Sequence, residues 1–157
     1  MLDTLISEIA DRKAQRQRHL QPPCPPDRLD GLRKNCLADL KSPLPEGYAE
    51  LLRRTDGIDW NGTVFYASAT APIVGYSDRL IEGFIEANLN RRSGGECEHL
   101  LIFGESGMEM YAFSMDTQHF HVLDQLSLDQ LEEYASFEQL FTAAYEKRLW
   151  PKGRPAS

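Results

Sequence analysis

The chain has 157 residues, of which 41% are apolar and 26% are charged, and its formal net charge is −7. This size and composition predict one globular domain and exclude a disordered chain. No apolar run approaches the ~20 residues that cross a bilayer, and the amino end lacks a secretory signal pattern, so we expect a cytoplasmic protein without membrane contact.

The charge is distributed unevenly along the chain. Residues 1–43 contain eight Lys/Arg and six Asp/Glu, whereas residues 44–157 contain nine and eighteen, which gives +2 and −9. An acidic main domain repels nucleic acid and anionic membranes. It favours a basic partner or, as the plainer alternative, charge that only keeps the protein in solution.

The three cysteines follow no pattern of a bonded or metal-binding set. Cys24, Cys36 and Cys97 are odd in number and widely spaced, so they make neither a disulfide framework nor a CxxC pair. They are predicted to be reduced thiols.

The amino-terminal segment is predicted to be a helix followed by a stiff link. Residues 2–19 carry an apolar stripe at positions 2, 5, 6 and 9 and then become basic, and the prolines of residues 21–26 exclude a helix there. We expect residues 1–26 to be this helix and link, residues 27–150 to be the main domain, and residues 151–157 to be a flexible tail. The apolar stripe also raises the possibility of a homodimer.

In the main domain, periodicity predicts helices over residues 27–40, 44–55 and 77–90 and after residue 136, and strands over residues 63–66, 100–103, 108–113 and 119–123. The last three strands form an antiparallel meander. Ser127 and Ser136 each precede a glutamine by three residues, as in a helix-capping box. The predicted fold class is α+β, with a mostly antiparallel sheet flanked by helices.

Motifs of catalysis are not found in the sequence. It has no Walker loop, GxGxxG, HExxH or GxSxG, so no catalytic residue and no cofactor is expected. His119 and His121 share one face of a strand and would begin a zinc site if His99, Cys97 or Asp116 joined them. The alternative is that both histidines face solvent without a metal, and we expect no metal site.

A set of carboxylates and aromatic side chains is the candidate for a partner-binding surface. Tyr and Trp are enriched at the centres of protein interfaces, and carboxylates suit a basic partner, although core packing is the ordinary role of any one aromatic. The predicted partner-binding residues are Asp59, Trp60, Tyr66, Tyr76, Glu105, Glu109, Tyr111 and Asp116.

Three short motifs occur in an order that resembles the SUKH superfamily, named partly for the yeast cell-wall assembly regulator. They are residues 44–57 (LPEGYAELLRRTDG), 101–107 (LIFGESG) and 134–140 (YASFEQL). The resemblance covers roughly residues 44–149. Asp56 replaces the more usual asparagine, and the first 43 residues are not accounted for.

The resemblance implies an α+β fold without enzymatic activity. Many bacterial members of the superfamily are thought to be immunity proteins that neutralise toxins, often nucleases or deaminases, and others act as adaptors. We therefore expect an immunity protein that binds a basic toxin domain. The alternatives are an adaptor that binds a host protein through the basic amino-terminal helix and proline link, and an unrecognised metal-dependent hydrolase.

Overall fold

The computed structural model describes residues 2–149, with side chains to residue 146. The predicted tail, residues 151–157, lies outside the described residues. The helices are α1 (Leu2–Ala14), α2 (Pro26–Leu40), α3 (Glu46–Arg54), α4 (Phe84–Arg92) and α5 (Phe137–Leu149). The strands are β1 (Ile58–Trp60), β2 (Thr63–Phe65), β3 (Ala71–Pro72), β4 (Leu80–Ile81), β5 (Leu100–Glu105), β6 (Glu109–Ser114), β7 (Phe120–Asp124) and β8 (Gln130–Tyr134).

The main sheet has six strands in the order β1-β2-β5-β6-β7-β8, and each neighbouring pair is antiparallel. Strands β3 and β4 form a separate pair. The helices flank the sheet, so the predicted α+β class and the meander of β5, β6 and β7 are confirmed. Within residues 2–149, no helix is both long enough and apolar enough to span a bilayer.

A layer of aromatic rings joins helix α5 to the sheet. Phe137 packs edge-on against Phe103 with ring centroids 5.1 Å apart, and Phe141 packs in the same way against Phe65 at 5.1 Å. Such ring pairs add about 0.5–1.5 kcal/mol each to the burial of their area. Part of the buried core therefore lies between α5 and the sheet.

The amino-terminal segment is built into the same core. Leu5 and Ile9 of α1 are fully buried, and α1 packs against α5. The proline link is tied down as well, because the amide of Cys24 donates to the carbonyl of Leu52 at 2.8 Å and that of Asp56 donates to Pro22 at 2.9 Å. Since the apolar stripe is buried within the chain, it no longer gives a reason to expect a homodimer.

The residues of the 44–57 motif have structural roles in this fold. The hydroxyl of Tyr48 donates to the carbonyl of Tyr66 at 2.6 Å in the core. The carboxylate of Asp56 accepts from the amide of Ser68 at 2.7 Å and from its hydroxyl at 2.9 Å. Gly57 follows with a φ of 87°, which favours glycine. The motif thus fixes the chain between α3 and the loop after β2.

The helix predicted over residues 77–90 begins seven residues later than expected. Leu80 and Ile81 form strand β4 with Ala71 and Pro72, and the helix begins only at Phe84. A helix over residues 77–90 places Leu80 on its apolar face, but Leu80 is 64% exposed. Leu80 and Ile81 therefore pair with a second extended segment as a strand, although their apolar spacing also fits a helix.

Strands β1 and β8 at the two edges of the sheet were not predicted. The three residues of β1 are too few to show a period, and they follow directly on the turn at Gly57. The capping-box pattern at Ser127 leads into β8 instead of a helix. At Ser136 the pattern does begin α5, because its hydroxyl accepts from the amide of Gln139 at 3.2 Å.

Asn88 replaces a missing strand partner in the sheet. Its side-chain amide donates to the carbonyl of Ile102 at 2.9 Å, and its oxygen accepts from the amide of Ile102 at 2.7 Å. Replacing Asn88 by alanine leaves two buried backbone groups unpaired, which is expected to lower the free energy of unfolding by about 2–4 kcal/mol. Urea unfolding measures this loss. The exposed Asn90 on the same helix is the control, and equal losses from both alanine variants would contradict this role.

Candidate protein-binding surface

Three hairpin turns lie at one end of the main sheet. The strands are antiparallel, so the β1–β2, β5–β6 and β7–β8 connections all emerge on the same side. The second and third of these turns are joined directly, because the amide of Gln125 donates to the carbonyl of Met108 at 2.9 Å. The side chain of Gln125 also donates to the carbonyl of Ser106. The two turns therefore form one continuous tip.

This tip carries the two most exposed large apolar side chains in the described part of the chain. Met108 is 77% exposed and Leu126 is 95% exposed. Single apolar side chains are common on protein surfaces, but neighbouring ones of this size mark interaction sites more often. Neither residue was among the predicted partner-binding residues.

The tip lies in the most acidic part of the sequence. Residues 93–146 contain eleven Asp/Glu and no Lys or Arg. Glu105 and Glu109 border the β5–β6 turn, and Asp124 and Asp129 border the β7–β8 turn. We call this region the acidic hairpin surface, and it consists of Glu105, Met108, Glu109, Asp124, Leu126 and Asp129.

Hydrogen bonds hold several of its carboxylates in place. Asp124 accepts from the amides of Leu126 and Ser127, both at 2.9 Å. Both hydrogen bonds lower the pKa of Asp124, the one from Ser127 more than the one from Leu126, so its carboxylate stays ionised at neutral pH. Glu109 accepts from the buried hydroxyl of Tyr111 at 3.2 Å. The negative charge at the tip is therefore fixed in position, which is the condition for steering a basic partner.

Two of the predicted partner-binding residues, Glu105 and Glu109, come together at this surface. Glu105 is partly neutralised because Arg91 forms an ion pair with it. Tyr66 and Tyr111 are 1% and 0% exposed, so they belong to the core and present no side chain to a partner. Tyr66 directly follows β2 and Tyr111 lies within β6, and the sequence pattern alone did not separate these buried positions from exposed ones.

The other four predicted residues lie elsewhere. Asp59 and Trp60 are on edge strand β1, and Asp59 forms an ion pair with Arg79 at 2.8 Å. The guanidinium of Arg79 also lies over the ring of Tyr76, 4.8 Å from its centroid. Asp116 is in the β6–β7 turn at the opposite end of the sheet. The eight residues therefore do not form one patch.

The two strand histidines have different surroundings. His119 is exposed and lies 3.1 Å from Glu133, whereas His121 is 3% exposed and lies 3.1 Å from the hydroxyl of Thr117. The expectation that both face solvent is therefore wrong for His121. Among residues 2–149, no three His, Cys, Asp or Glu side chains are grouped so as to hold a metal ion. Cys24, Cys36 and Cys97 are free and buried.

The stability of the fold is expected to decrease on acidification because of His121. Burial lowers the pKa of His121 below 6.5, with Glu133 opposing and His119 adding to the shift. As the pH falls through about 6.5, the unfolded chain takes up a proton on this residue before the folded chain does, so stability present above this pH is lost below it. Urea unfolding at pH 7.5 and pH 5 should show a smaller difference for His121→Gln than for the wild type. The exposed His19→Gln is the control, and an unchanged difference for His121→Gln would contradict the assignment.

No protein-family model matches the chain, and no curated protein matches it significantly. The resemblance of its motifs to the SUKH superfamily therefore stays a prediction.

Proposed function

We propose that the protein is a non-enzymatic protein-binding domain that recognises a basic partner through the acidic hairpin surface. The observation that supports this most directly is the exposed pair Met108 and Leu126 on two hydrogen-bonded turns. Exposing both side chains to water is unfavourable, and a partner that covers them gains about 25 cal/mol for each Å² of apolar area buried.

The surrounding carboxylates suit a partner of opposite charge. Complementary charges at the rim of an interface mainly increase the association rate and reject wrong partners, whereas buried apolar groups at its centre supply most of the affinity. In the acidic hairpin surface, Met108 and Leu126 lie in the two turns, and the carboxylates lie where the strands meet these turns. The acidic hairpin surface therefore suits a partner protein with a basic binding site.

A toxin that acts on nucleic acid is a partner of this chemistry. Enzymes that bind nucleic acid neutralise its phosphates with Lys and Arg, so their active sites are basic. The resemblance of the sequence motifs to SUKH immunity proteins implies that such a toxin is the partner. We therefore propose that the protein is an immunity protein that covers the active site of a nuclease or deaminase toxin.

Reversing two charges of the acidic hairpin surface is expected to slow association with the partner. Glu109→Lys together with Asp129→Lys removes the attraction at the rim, so the association rate should fall about tenfold or more at low salt. The rate of the variant should also depend less steeply on salt concentration. Stopped-flow fluorescence measures both quantities.

Asp116→Lys is the control for the charge reversal, because Asp116 is exposed at the opposite end of the sheet. At about 0.1 M salt it should leave the association rate within about twofold, since the Debye length there is about 10 Å and more distant charges are largely screened. Association slowed equally by the control and by the double variant would mean that net charge matters and the acidic hairpin surface does not.

The adaptor function is the second proposal, and it differs in the identity of the partner. An adaptor binds a resident protein of the cell and leaves that protein active, whereas an immunity protein abolishes the activity of the toxin it binds. Assaying the partner's nuclease or deaminase activity with and without one equivalent of the protein separates the two.

A further inference from the structure

A cleft of about 410 Å³ lies between the end of α1, the β1–β2 hairpin and the loop before β4. It is on the side of the sheet bordered by β1, and Trp60 lines it. A cavity of this volume falls within the range of about 300–1,000 Å³ in which small molecules bind. None of the residues that line the cleft belongs to the acidic hairpin surface. A ligand for the cleft can therefore be inferred independently of the proposed function.

The cleft is strongly basic in a protein whose net charge is −7. Its lining includes five cationic side chains: Arg12, Lys13, Arg16, Arg18 and Arg79. Among the described residues that line it, Asp59 is the only carboxylate. Glu8 pairs with Arg12 at 3.0 Å from outside the lining. Positive charge is therefore in excess inside the cleft.

The cationic groups are held in place before any ligand binds. Arg18 donates to the carbonyl of Gly75 at 2.7 Å, and its guanidinium lies over the ring of Tyr76, 4.2 Å from the centroid. Lys13 donates to the carbonyl of Asp59 at 2.9 Å. A site whose donors are already ordered loses less conformational entropy when the ligand enters.

The surroundings of Lys13 disfavour its charged form. Burial lowers the pKa of Lys13, and Arg18 and Arg79 lower it further while Asp59 opposes them. An anion placed among these groups relieves this repulsion. The geometry of the cleft and the charges of its lining thus both favour a negatively charged ligand.

We propose that this cleft binds a phosphorylated small molecule of about nucleotide size. Several arginines together match the oxygen geometry of phosphate groups, each with two parallel donors. A long nucleic acid is disfavoured because the acidic remainder of the domain repels an extended polyanion. The ring of Trp60 offers an aromatic surface on which a base can stack.

Calorimetric titration of the purified protein with tripolyphosphate, ATP and citrate at 50 mM salt tests this proposal. Tripolyphosphate and ATP are expected to bind with one-to-one stoichiometry and more tightly than citrate. Arg16→Gln and Arg79→Gln should each weaken binding about tenfold, because each removes a charge-assisted hydrogen bond. Arg53→Gln on α3, which changes the net charge equally but lies outside the cleft, should leave the affinity unchanged.

The outcomes identify the recognised part of the ligand. Equal affinities for tripolyphosphate and ATP assign binding to the phosphate groups, and tighter binding of ATP adds a contact with its nucleoside. Absence of binding, equal binding of citrate, or unchanged affinity in both cleft variants would overturn the proposal. Thermal unfolding of each variant checks that it is folded. Both variants are expected to fold because Arg16 and Arg79 are exposed.

Discussion

Deleting residues 2–14 is expected to abolish cooperative folding of the chain. Four apolar side chains of α1 are buried: Leu2, Leu5, Ile6 and Ile9. Burial of such a side chain contributes about 1.5–3 kcal/mol, so the four together contribute about 6–12 kcal/mol. A whole domain is stable by only about 5–15 kcal/mol. Circular dichroism of the truncated chain during urea unfolding should therefore show no cooperative transition.

Single substitutions test the contribution of α1 to stability without removing the helix. Leu5→Ala is expected to lower the free energy of unfolding by about 2–5 kcal/mol because it leaves a cavity. The exposed neighbour Thr4→Ala should change it by about 0.5 kcal/mol or less. If the truncated chain unfolded at the wild-type midpoint, α1 would be an appendage available to a partner, as the adaptor hypothesis requires.

Changing Met108 and Leu126 together to serine is expected to weaken partner binding about thirtyfold or more. Truncating an apolar side chain at the centre of an interface typically costs more than 1 kcal/mol and up to several, and each 1.4 kcal/mol is tenfold in affinity. Both side chains are largely exposed in the free protein, so the melting temperature should stay unchanged. Calorimetry with the purified partner measures the affinity.

Leu37→Ser is the control for this double substitution. Leu37 is 57% exposed on α2, far in sequence from both hairpin turns. It removes a comparable apolar side chain from the surface and is expected to leave the affinity unchanged. A double variant that bound as tightly as the wild type would remove Met108 and Leu126 from the interface.

The fold class follows from the sequence because long elements have clear periods. The strands at residues 100–103 and 108–113 and the helix after Ser136 lie in the core, where burial enforces the apolar pattern. Edge strand β8 is half-exposed, so its pattern is weak and a capping-box signal outweighed it. Helix α4 was extended too far because Leu80 and Ile81 fit the helical period while pairing as a strand.

The acidic hairpin surface was predicted only in part, because its apolar residues lie in turns just outside the regular strands. The predicted strand begins at Met108, but β6 begins at Glu109 and leaves Met108 in the turn. Leu126 gave no signal, since one leucine in a short loop has no period. Only the tertiary pairing of the two turns brings these residues together.

The basic cleft was also predicted only in part from the sequence. The sequence displays a run of basic residues after Ile9, and this run was attributed to a helix that recognises a host protein. Arg79 and Tyr76 join it from more than fifty residues away, through contacts that no sequence period encodes. Local patterns thus predicted the charge, and the fold determined which charges converge.

Affinity capture from a lysate of the native cells with three baits tests the central claim most directly. Wild-type protein, Leu37→Ser and the Met108→Ser/Leu126→Ser variant are immobilised in equal amounts, and the bound proteins are identified by mass spectrometry. The account predicts one basic protein in equimolar amount on the first two baits, lost from the third, whose nuclease or deaminase activity is abolished by the wild-type protein. Recovery of the same proteins on all three baits would contradict the assignment of binding to the acidic hairpin surface.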